Sequence, residues 1–121
     1  MKNVILNKKQ IPRFQDLVVP NPSEVRSYLK EHPEIPGILP ALAKATREEF
    51  QEPAELSLEV YHDPEIDDHF LTLLVRLPAY DSNTMKRIDS VWGKFEKKIC
   101  KTSGWLTLTT DFRLLKGSNG L

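Results

Sequence analysis

Two stretches of alternating apolar and polar residues, joined by a short polar connection, constrain the fold of this chain more than any other feature. Residues 55–62 and residues 70–77 each carry an apolar side chain at every second position. These positions are Leu56, Leu58 and Val60 in the first stretch, and Leu71, Leu73, Val75 and Leu77 in the second. A period of two is typical of a half-buried strand. Because the connection, residues 63–69, is polar and turn-forming, the sequence predicts a β-hairpin with an exposed tip.

A helix and a third strand are predicted after the hairpin. Apolar residues recur at steps of three and four from residue 85 to residue 99, which is the clearest helical stripe in the chain. They are Met85, Ile88, Val91, Trp92, Phe95 and Ile99. Asp81 or Ser82 can cap this helix, and Gly104 marks its stop. Residues 105–112 alternate again, and a helical crossover makes this third strand parallel to the second; we expect it to lie beside the first.

Two further helices are predicted before the hairpin. Asn21 as N-cap and Pro22 at the first helical position mark the start of one helix, and Pro33 ends it. The next helix is predicted from about residue 36 to residue 50. We therefore expect a single α+β domain over residues 1–121, with a three-stranded mixed sheet. Its predicted parts are an N-terminal arm (1–20), a helical pair (22–50), a β-β-α-β unit (55–112) and a tail (113–121).

Length and composition place the chain among soluble single domains. Its 121 residues suit one domain, and no run approaches the roughly 18 apolar residues that a membrane-spanning helix needs. The first residues contain too short an apolar stretch for a secretory signal. The single cysteine, Cys100, excludes an internal disulfide framework and a multi-cysteine zinc site. We therefore expect a cytoplasmic protein without a membrane partner.

The net charge of zero conceals charge segregation along the chain. Residues 1–47 have a net charge of +4, residues 48–68 one of −9 without any Lys or Arg, and residues 86–121 one of +5. Such a distribution produces oppositely charged faces that steer partners, or it neutralises itself where the segments pack together. Both alternatives are open at this point.

The polar connection of the hairpin is the candidate metal site. Residues 62–69 hold four carboxylates and two imidazoles, and the candidate ligands are Asp63, Glu65, Asp67 and His69. The loop is similar to the opening of a calcium loop, but it lacks the glycine at the sixth position and the glutamate at the twelfth. A metal-dependent hydrolase or nuclease centred on this loop is one interpretation, and a solvated hairpin tip is the other.

Motifs for other catalytic chemistry are missing from the sequence. There is no G-x-S-x-G segment for a nucleophilic serine, and the glycines are too scattered for a phosphate-binding loop. Cys100 lies beside Ile99, and no motif supplies it with a base. The sequence therefore favours a protein without catalytic residues, and we expect no cofactor.

A basic stripe follows the last predicted helix, next to its apolar stripe. It consists of Lys86, Arg87, Lys94, Lys97, Lys98 and Lys101. Clustered basic residues suit phosphate groups, so nucleic-acid binding is one interpretation. A solvated helix face and the docking of an acidic protein surface are the others. We assign these six residues, together with Glu59 on the first strand, to partner binding.

Three short segments carry a resemblance to known proteins. The segments are Tyr28-Leu-Lys-Glu-His-Pro-Glu34, Leu56-Ser-Leu-Glu-Val60 and Asp63-Pro-Glu65. They resemble a family of small bacterial proteins that share a His-Pro-Glu helix break, an L-x-L-E-V strand and a D-P-E loop. The resemblance covers about residues 22–112 and implies no established activity. By analogy it implies an antitoxin-like or partner-binding role.

These patterns favour a non-enzymatic, cytoplasmic protein-interaction module. We expect it to bind a protein partner through a charged face or a sheet edge, because a three-stranded sheet leaves open edges. Open edges also make a homodimer the expected assembly. Metal-dependent hydrolysis at the hairpin loop and nucleic-acid binding by the basic stripe are the alternative functions.

Overall fold

A computed structural model describes residues 17–65 and 68–114 of the chain. This part contains four helices and three strands, in which two N-terminal helices are followed by a β-β-α-β unit. The elements are α1 (Pro22–Glu31), α2 (Ile35–Glu49), β1 (Glu55–Asp63), β2 (Asp68–Arg76), α3 (Thr84–Gly93), α4 (Glu96–Cys100) and β3 (Leu106–Thr109). The α+β class and the three-stranded mixed sheet are confirmed. The predicted arm and tail lie mostly outside the described residues.

The first helix begins and ends where the local sequence predicts. Asn21 Oδ1 accepts the backbone N–H of Glu24 at 3.4 Å, as a helix N-cap does. At the other end, the N–H of His32 donates to the carbonyl of Tyr28 at 3.0 Å, and Pro33 prevents a further turn. This geometry fixes Tyr28 and His32, one turn apart, on the same side of the helix end.

The order of the strands differs from the predicted one. β1 pairs with β2 as an antiparallel hairpin and β2 pairs with β3 in parallel, so β3 lies beside β2 and not beside β1. The outer edge of β1 pairs instead with the chain segment before α1. Val18 N–H donates to the carbonyl of Leu56 at 2.7 Å, and Leu58 N–H donates to that of Val18 at 2.8 Å. The parallel direction of β3 relative to β2 is confirmed.

The long last helix predicted from the apolar stripe is two helices, α3 and α4. The chain tightens after Gly93, where Lys94 N–H donates to Val91 at 3.1 Å and Phe95 N–H donates to Trp92 at 2.9 Å. Each bond reaches back three residues instead of four. Glycine has a low helix propensity, so the interruption falls where the helix is weakest. The apolar stripe still contributes to the core on both sides of the break.

The helices cover one face of the sheet. α1 contacts β1 and β2, α3 contacts β3, and α2 packs against α3 and α4. Inward strand residues and helix stripes together form one apolar core. Its largest fully buried side chains are Ile35, Leu39, Leu42, Leu56, Leu58, Leu71, Leu73, Val75, Leu77, Ile88, Ile99 and Leu106. In residues 17–65 and 68–114, no helix packs on the opposite face, and none is long and apolar enough to cross a membrane.

Candidate functional site

The face of the sheet opposite the helices is the first candidate binding surface, which we call the open sheet face. Its side chains come from alternate positions of the three strands. They are Ser57, Glu59 and Tyr61, then Phe70, Thr72, Leu74 and Arg76, and finally Thr107 and Thr109. A groove of about 410 Å³ lies on this face. Because Glu59, Thr72 and Thr107 share one register row, the groove crosses all three strands.

One end of the open sheet face is aromatic and apolar. The rings of Tyr61 and Phe70 face each other across the hairpin with centroids 5.1 Å apart, and Tyr61 is 51% exposed. Leu74 lies half-buried two register rows away. The hydroxyl of Thr72, between them, is buried and has no hydrogen-bond partner among the described residues. Exposed aromatic residues beside a half-buried leucine are typical of protein interfaces.

The other end of the open sheet face is held by Arg76 and three carboxylates. Its guanidinium donates to Asp111 at 2.8 Å, to Glu55 at 3.1 Å and to Glu59 at 3.3 Å. These hydrogen bonds, with that to Asp111 the strongest cause, raise the pKa of Arg76, and Arg76 in turn lowers the pKa of Asp111. Ser57 Oγ–H also donates to Glu59 at 2.7 Å. Glu59, predicted to bind a partner, is therefore already held by two donors of its own chain.

Arg87, predicted to belong to the basic stripe, takes part in a network within the fold. Its Nε donates to Glu49 and its Nη1 to Glu52, each at 2.9 Å. Its guanidinium carbon lies 4.3 Å from the centroid of the Phe50 ring. The hydrogen bond from Arg87 lowers the pKa of Glu52. Part of the segregated charge thus neutralises itself, because the acidic end of α2 packs against α3.

The other five residues of the basic stripe are exposed, and we call them together the lysine surface. They are Lys86, Lys94, Lys97, Lys98 and Lys101. No acidic side chain in the described ranges pairs with them. Lysines of this kind suit a negatively charged partner such as nucleic acid or an acidic protein.

The candidate metal ligands of the hairpin lie in and beside its turn. Asp63 Oδ1 accepts the backbone N–H of Glu65 at 3.0 Å, which is a contact within the turn itself. His69 lies on β2, where its ring stacks against that of His62. Asp67 lies outside the described residues. Across residues 17–65 and 68–114, no three His, Cys, Asp or Glu side chains are grouped so that they could hold a metal ion.

All three histidines of the chain meet around Tyr28, in a cluster that was not predicted from the sequence. The ring centroids of His32 and His69 lie 4.4 Å and 5.5 Å from that of Tyr28. His62 stacks on His69 at 5.6 Å and is paired with Glu24. The cluster forms because His32 follows Tyr28 by one helical turn, while the other two histidines are cross-strand neighbours beside the hairpin turn.

The loop before β3 orients the ring of His32. Its Nδ1 lies 2.9 Å from Ser103 Oγ, and Ser103 Oγ–H donates to Glu34 Oε1 at 3.0 Å. The backbone N–H of Glu34 itself, and then the Ser103 hydroxyl, lower the pKa of Glu34. Because the Ser103 proton goes to Glu34, we assign the proton of the neutral ring to Nδ1, which donates to Ser103 Oγ. Nε2 of His32 then keeps its lone pair.

A glycine gives these rings the space that they occupy. The hydroxyl of Tyr28 donates to the carbonyl of Trp105 at 3.3 Å and accepts the N–H of Trp105 at 2.9 Å. A Cβ on Gly104 would lie 2.6 Å from His32 Cγ and 2.8 Å from the Tyr28 hydroxyl. Such distances are too short for close-packed side chains. Gly104, predicted only as a helix stop, is therefore also a packing site.

The cluster opens into a cleft of about 840 Å³ between the end of α1, the start of β2 and the loop before β3. We call it the histidine cleft. Tyr28 and Trp105 line it beside the imidazoles, and Glu31 and Asp68 supply carboxylates. Burial raises the pKa of Tyr28, and the negative charges of Asp68 and Glu31 raise it further.

The sequence does contain a signal for the histidine cleft. A spacing of four residues puts Tyr28 and His32 on one helix face, and His62 and His69 flank the hairpin turn symmetrically. Residues 62–69 look like one polar loop in the sequence, but His62 and His69 are paired residues of β1 and β2. Comparisons with protein families, with curated proteins and with solved structures found no match to this chain.

Proposed function

We propose that this chain is a protein-interaction module without catalytic activity, which forms a homodimer through its open sheet face. The observation that carries the proposal is the groove on the face opposite the described helices, beside the exposed Tyr61 and the half-buried Phe70 and Leu74. A solvated sheet face is ordinarily polar at each outward position. Apolar residues collected on such a face favour a partner that removes them from water.

The distribution of chemistry on the open sheet face favours a second copy as the partner. A two-fold axis that lies between the two facing sheets and crosses the middle of β2 sets the aromatic end of one copy over the ionic end of the other. The side chain of Arg76 is 11% exposed, and its N–H groups are bound by three carboxylates. The rings of Tyr61 and Phe70 from the second copy would therefore meet an arginine whose charge is already compensated. The same arrangement opposes Leu74 of each copy to Thr72 of the other at the centre of the interface.

The oligomeric state of substituted chains tests this proposal. Sedimentation velocity over a range of protein concentrations is expected to show a monomer–dimer equilibrium. Tyr61→Ser and Leu74→Lys should each weaken the dimer by about tenfold or more, since large side chains dominate interface energies. Lys98→Ser, on the lysine surface, is the matched control and should leave the equilibrium unchanged. Circular dichroism verifies that each variant is folded; because Tyr61 is half exposed, its replacement spares the core.

Two results would overturn the proposal. One is a chain that sediments as a monomer at every concentration. The other is a dimer that both open-face variants leave intact. If Lys98→Ser instead dissociates the dimer, the interface lies on the lysine surface and the open sheet face is excluded.

Nucleic-acid binding is the second candidate function, favoured by the five exposed lysines without ion pairs in the described ranges. Lysines that neutralise phosphates release counterions, so binding weakens steeply with salt. A gel shift with DNA and RNA oligonucleotides at two salt concentrations tests it. Combined Lys94→Glu and Lys98→Glu substitutions should abolish the shift, whereas Lys30→Glu on α1 should not. Binding that does not weaken with salt, or that the combined substitution leaves unchanged, would exclude this function.

A further inference from the structure

We infer that residues 1–16, which precede the described part of the chain, bind the open sheet face of their own molecule. We call these residues the N-terminal segment. The inference rests on the proposed function in one respect, because the surface that the segment covers is the proposed dimer interface. The segment and a second copy then compete for the same face, so the segment regulates dimer formation.

The described chain begins at the edge of the open sheet face. Val18 pairs in parallel with Ser57, and paired residues of neighbouring strands carry their side chains on the same face of the sheet. Val18 therefore belongs to the open sheet face, where it is 41% exposed, whereas Leu17 is buried in the core. Because the pairing is parallel and Glu55 begins β1, the chain arrives at Leu17 from the ionic end of this face.

The ionic end and the N-terminal segment carry opposite charges. Three carboxylates surround Arg76, and the guanidinium of Arg113 lies 3.6 Å from one of them, that of Asp111. The cluster therefore holds three carboxylates against two guanidinium groups. The segment has a net charge of +3, from Lys2, Lys8, Lys9 and Arg13 against Asp16. Opposite charges attract the segment to the end of the face from which the chain arrives.

The segment also carries apolar side chains that suit the groove. Tyr61, Phe70 and Leu74 line the groove of about 410 Å³ and leave apolar surface in contact with water. The apolar side chains of the segment are Val4, Ile5, Leu6, Ile11 and Phe14. Burial of apolar area is favourable in proportion to the area removed from water, so binding of the segment to the groove is favoured on both sides of the contact.

The segment is long enough for this contact. The face from the row of Glu55 to the row of Tyr61 spans about 20 Å, at about 3.3 Å per residue. Leu6 precedes Leu17 by eleven residues, and a chain of this length reaches up to about 36 Å. A tethered segment has an effective concentration of about 1 mM. A second copy has no such advantage in dilute solution.

Paramagnetic broadening of nuclear magnetic resonance signals in the full chain tests the inference. The label is a nitroxide on Gln10→Cys, in a Cys100→Ser background, at a concentration where the chain sediments as a monomer. The amide signals of Tyr61 and Leu74 are expected to broaden. A nitroxide on Lys98→Cys, on the lysine surface, is the control and should leave both signals sharp. A mixture of spin-labelled chains with separate isotope-labelled chains should also leave them sharp, because the contact lies within one molecule.

Replacement of apolar side chains decides whether the segment itself binds the groove. Ile5→Ser combined with Leu6→Ser should shift the equilibrium away from the bound segment by about tenfold or more, and so sharpen both signals. Asn3→Ser combined with Asn7→Ser is the matched control in the same segment and should leave the broadening unchanged. In sedimentation velocity, the first pair of substitutions should strengthen the dimer, since the competing segment is weakened.

Three results would overturn the inference. They are signals that stay sharp with the label at residue 10, broadening that arises only between separate molecules, and equal effects of the two pairs of substitutions. The fate of the proposed function is read separately from the dimer. If the signals broaden as expected but the dimer does not respond to Ile5→Ser with Leu6→Ser, the segment covers the face and the dimer forms elsewhere. If the signals stay sharp and Tyr61→Ser weakens the dimer, the proposed function holds without the segment.

Discussion

Arg76 and Asp111 form a two-pronged ion pair: Nη2 lies 2.8 Å from Oδ2, and Nε lies 3.3 Å from Oδ1. Asp111 follows β3, whereas Arg76 ends β2. The pair thus extends the contact between the two neighbouring strands beyond the last register pair, Leu74 with Thr109. Bidentate geometry of this kind gives a stronger and more specific contact than a single ion pair.

Asp111→Asn should change how stability depends on pH. Arg76 lowers the pKa of Asp111 in the folded chain. The Asp111 carboxylate therefore contributes fully to stability above its pKa in the unfolded chain, about 3.9. This contribution is lost as the pH falls through the pKa of Asp111 in the folded chain. We expect the substitution to cost about 1 kcal/mol at neutral pH and progressively less in acid. Urea unfolding measured at several pH values checks this, and an undiminished difference at pH values below the folded pKa would contradict it.

Arg87→Met should loosen the contact between α2 and α3. It removes two ion pairs and the stacking on Phe50, and the expected loss in free energy of unfolding is about 1 kcal/mol. Because the pairs are partly exposed, added salt should reduce the loss. Lys94→Met, at an exposed lysine, is the control. Its free energy of unfolding should stay within about 0.5 kcal/mol of that of the original chain. Equal losses for both variants would show that the Arg87 network does not stabilise the fold.

Gly104→Ala should displace His32 and destabilise the fold. The new Cβ would meet the His32 ring and the Tyr28 hydroxyl at under 3 Å, so one of them must move. We expect a loss of about 1–3 kcal/mol and altered ring signals of His32. Gly93→Ala is the matched control, because nothing lies within 4 Å of its added Cβ. Thermal unfolding and histidine resonances check both effects; an unshifted His32 signal in the Gly104 variant would be incompatible with this packing.

Thr72→Val should be neutral or stabilising, by up to about 1 kcal/mol. The Thr72 hydroxyl is buried without a hydrogen-bond partner among the described residues, so its removal relieves a desolvation cost. Thr46→Val is the contrasting control, since that hydroxyl donates to the carbonyl of Leu42 at 2.8 Å. Its loss should cost about 1 kcal/mol. Urea unfolding of both variants decides the matter, and a larger loss at Thr72 than at Thr46 would contradict the prediction.

Local patterns in the sequence predicted the elements, and long-range contacts set their arrangement. The cap at Asn21 and the alternation of β1 and β2 depend on residues close in sequence, so both could be predicted. The place of β3 beside β2 could not be predicted in this way. The free edge of β1 is occupied by Val18, and both N-terminal helices separate Val18 from β1 in the chain. A short apolar run around Val18 contains no information about the strand that it joins.

The full set of residues at the candidate sites could not be predicted from the sequence for a similar reason. The basic stripe was predicted from helical spacing, but the acidic partners of Arg87 lie at the end of another helix. The histidine cleft joins Tyr28, His69 and Trp105, which are far apart in the chain. Spacing rules describe neighbours within one element, and only the packing of elements brings these side chains together.

The pairing of Val18 with Ser57 also bears on the order of folding. The hairpin needs to close only its own turn, whereas this contact must close a loop that contains α1 and α2, at a greater entropic cost. We expect the hairpin to form early and the segment at Val18 to dock late and detach first. Amide hydrogen exchange at Leu58, which donates to Val18, should therefore be faster than exchange within the ladder between β1 and β2. The edge of β1 is the place where this sheet first becomes open to pairing with another chain.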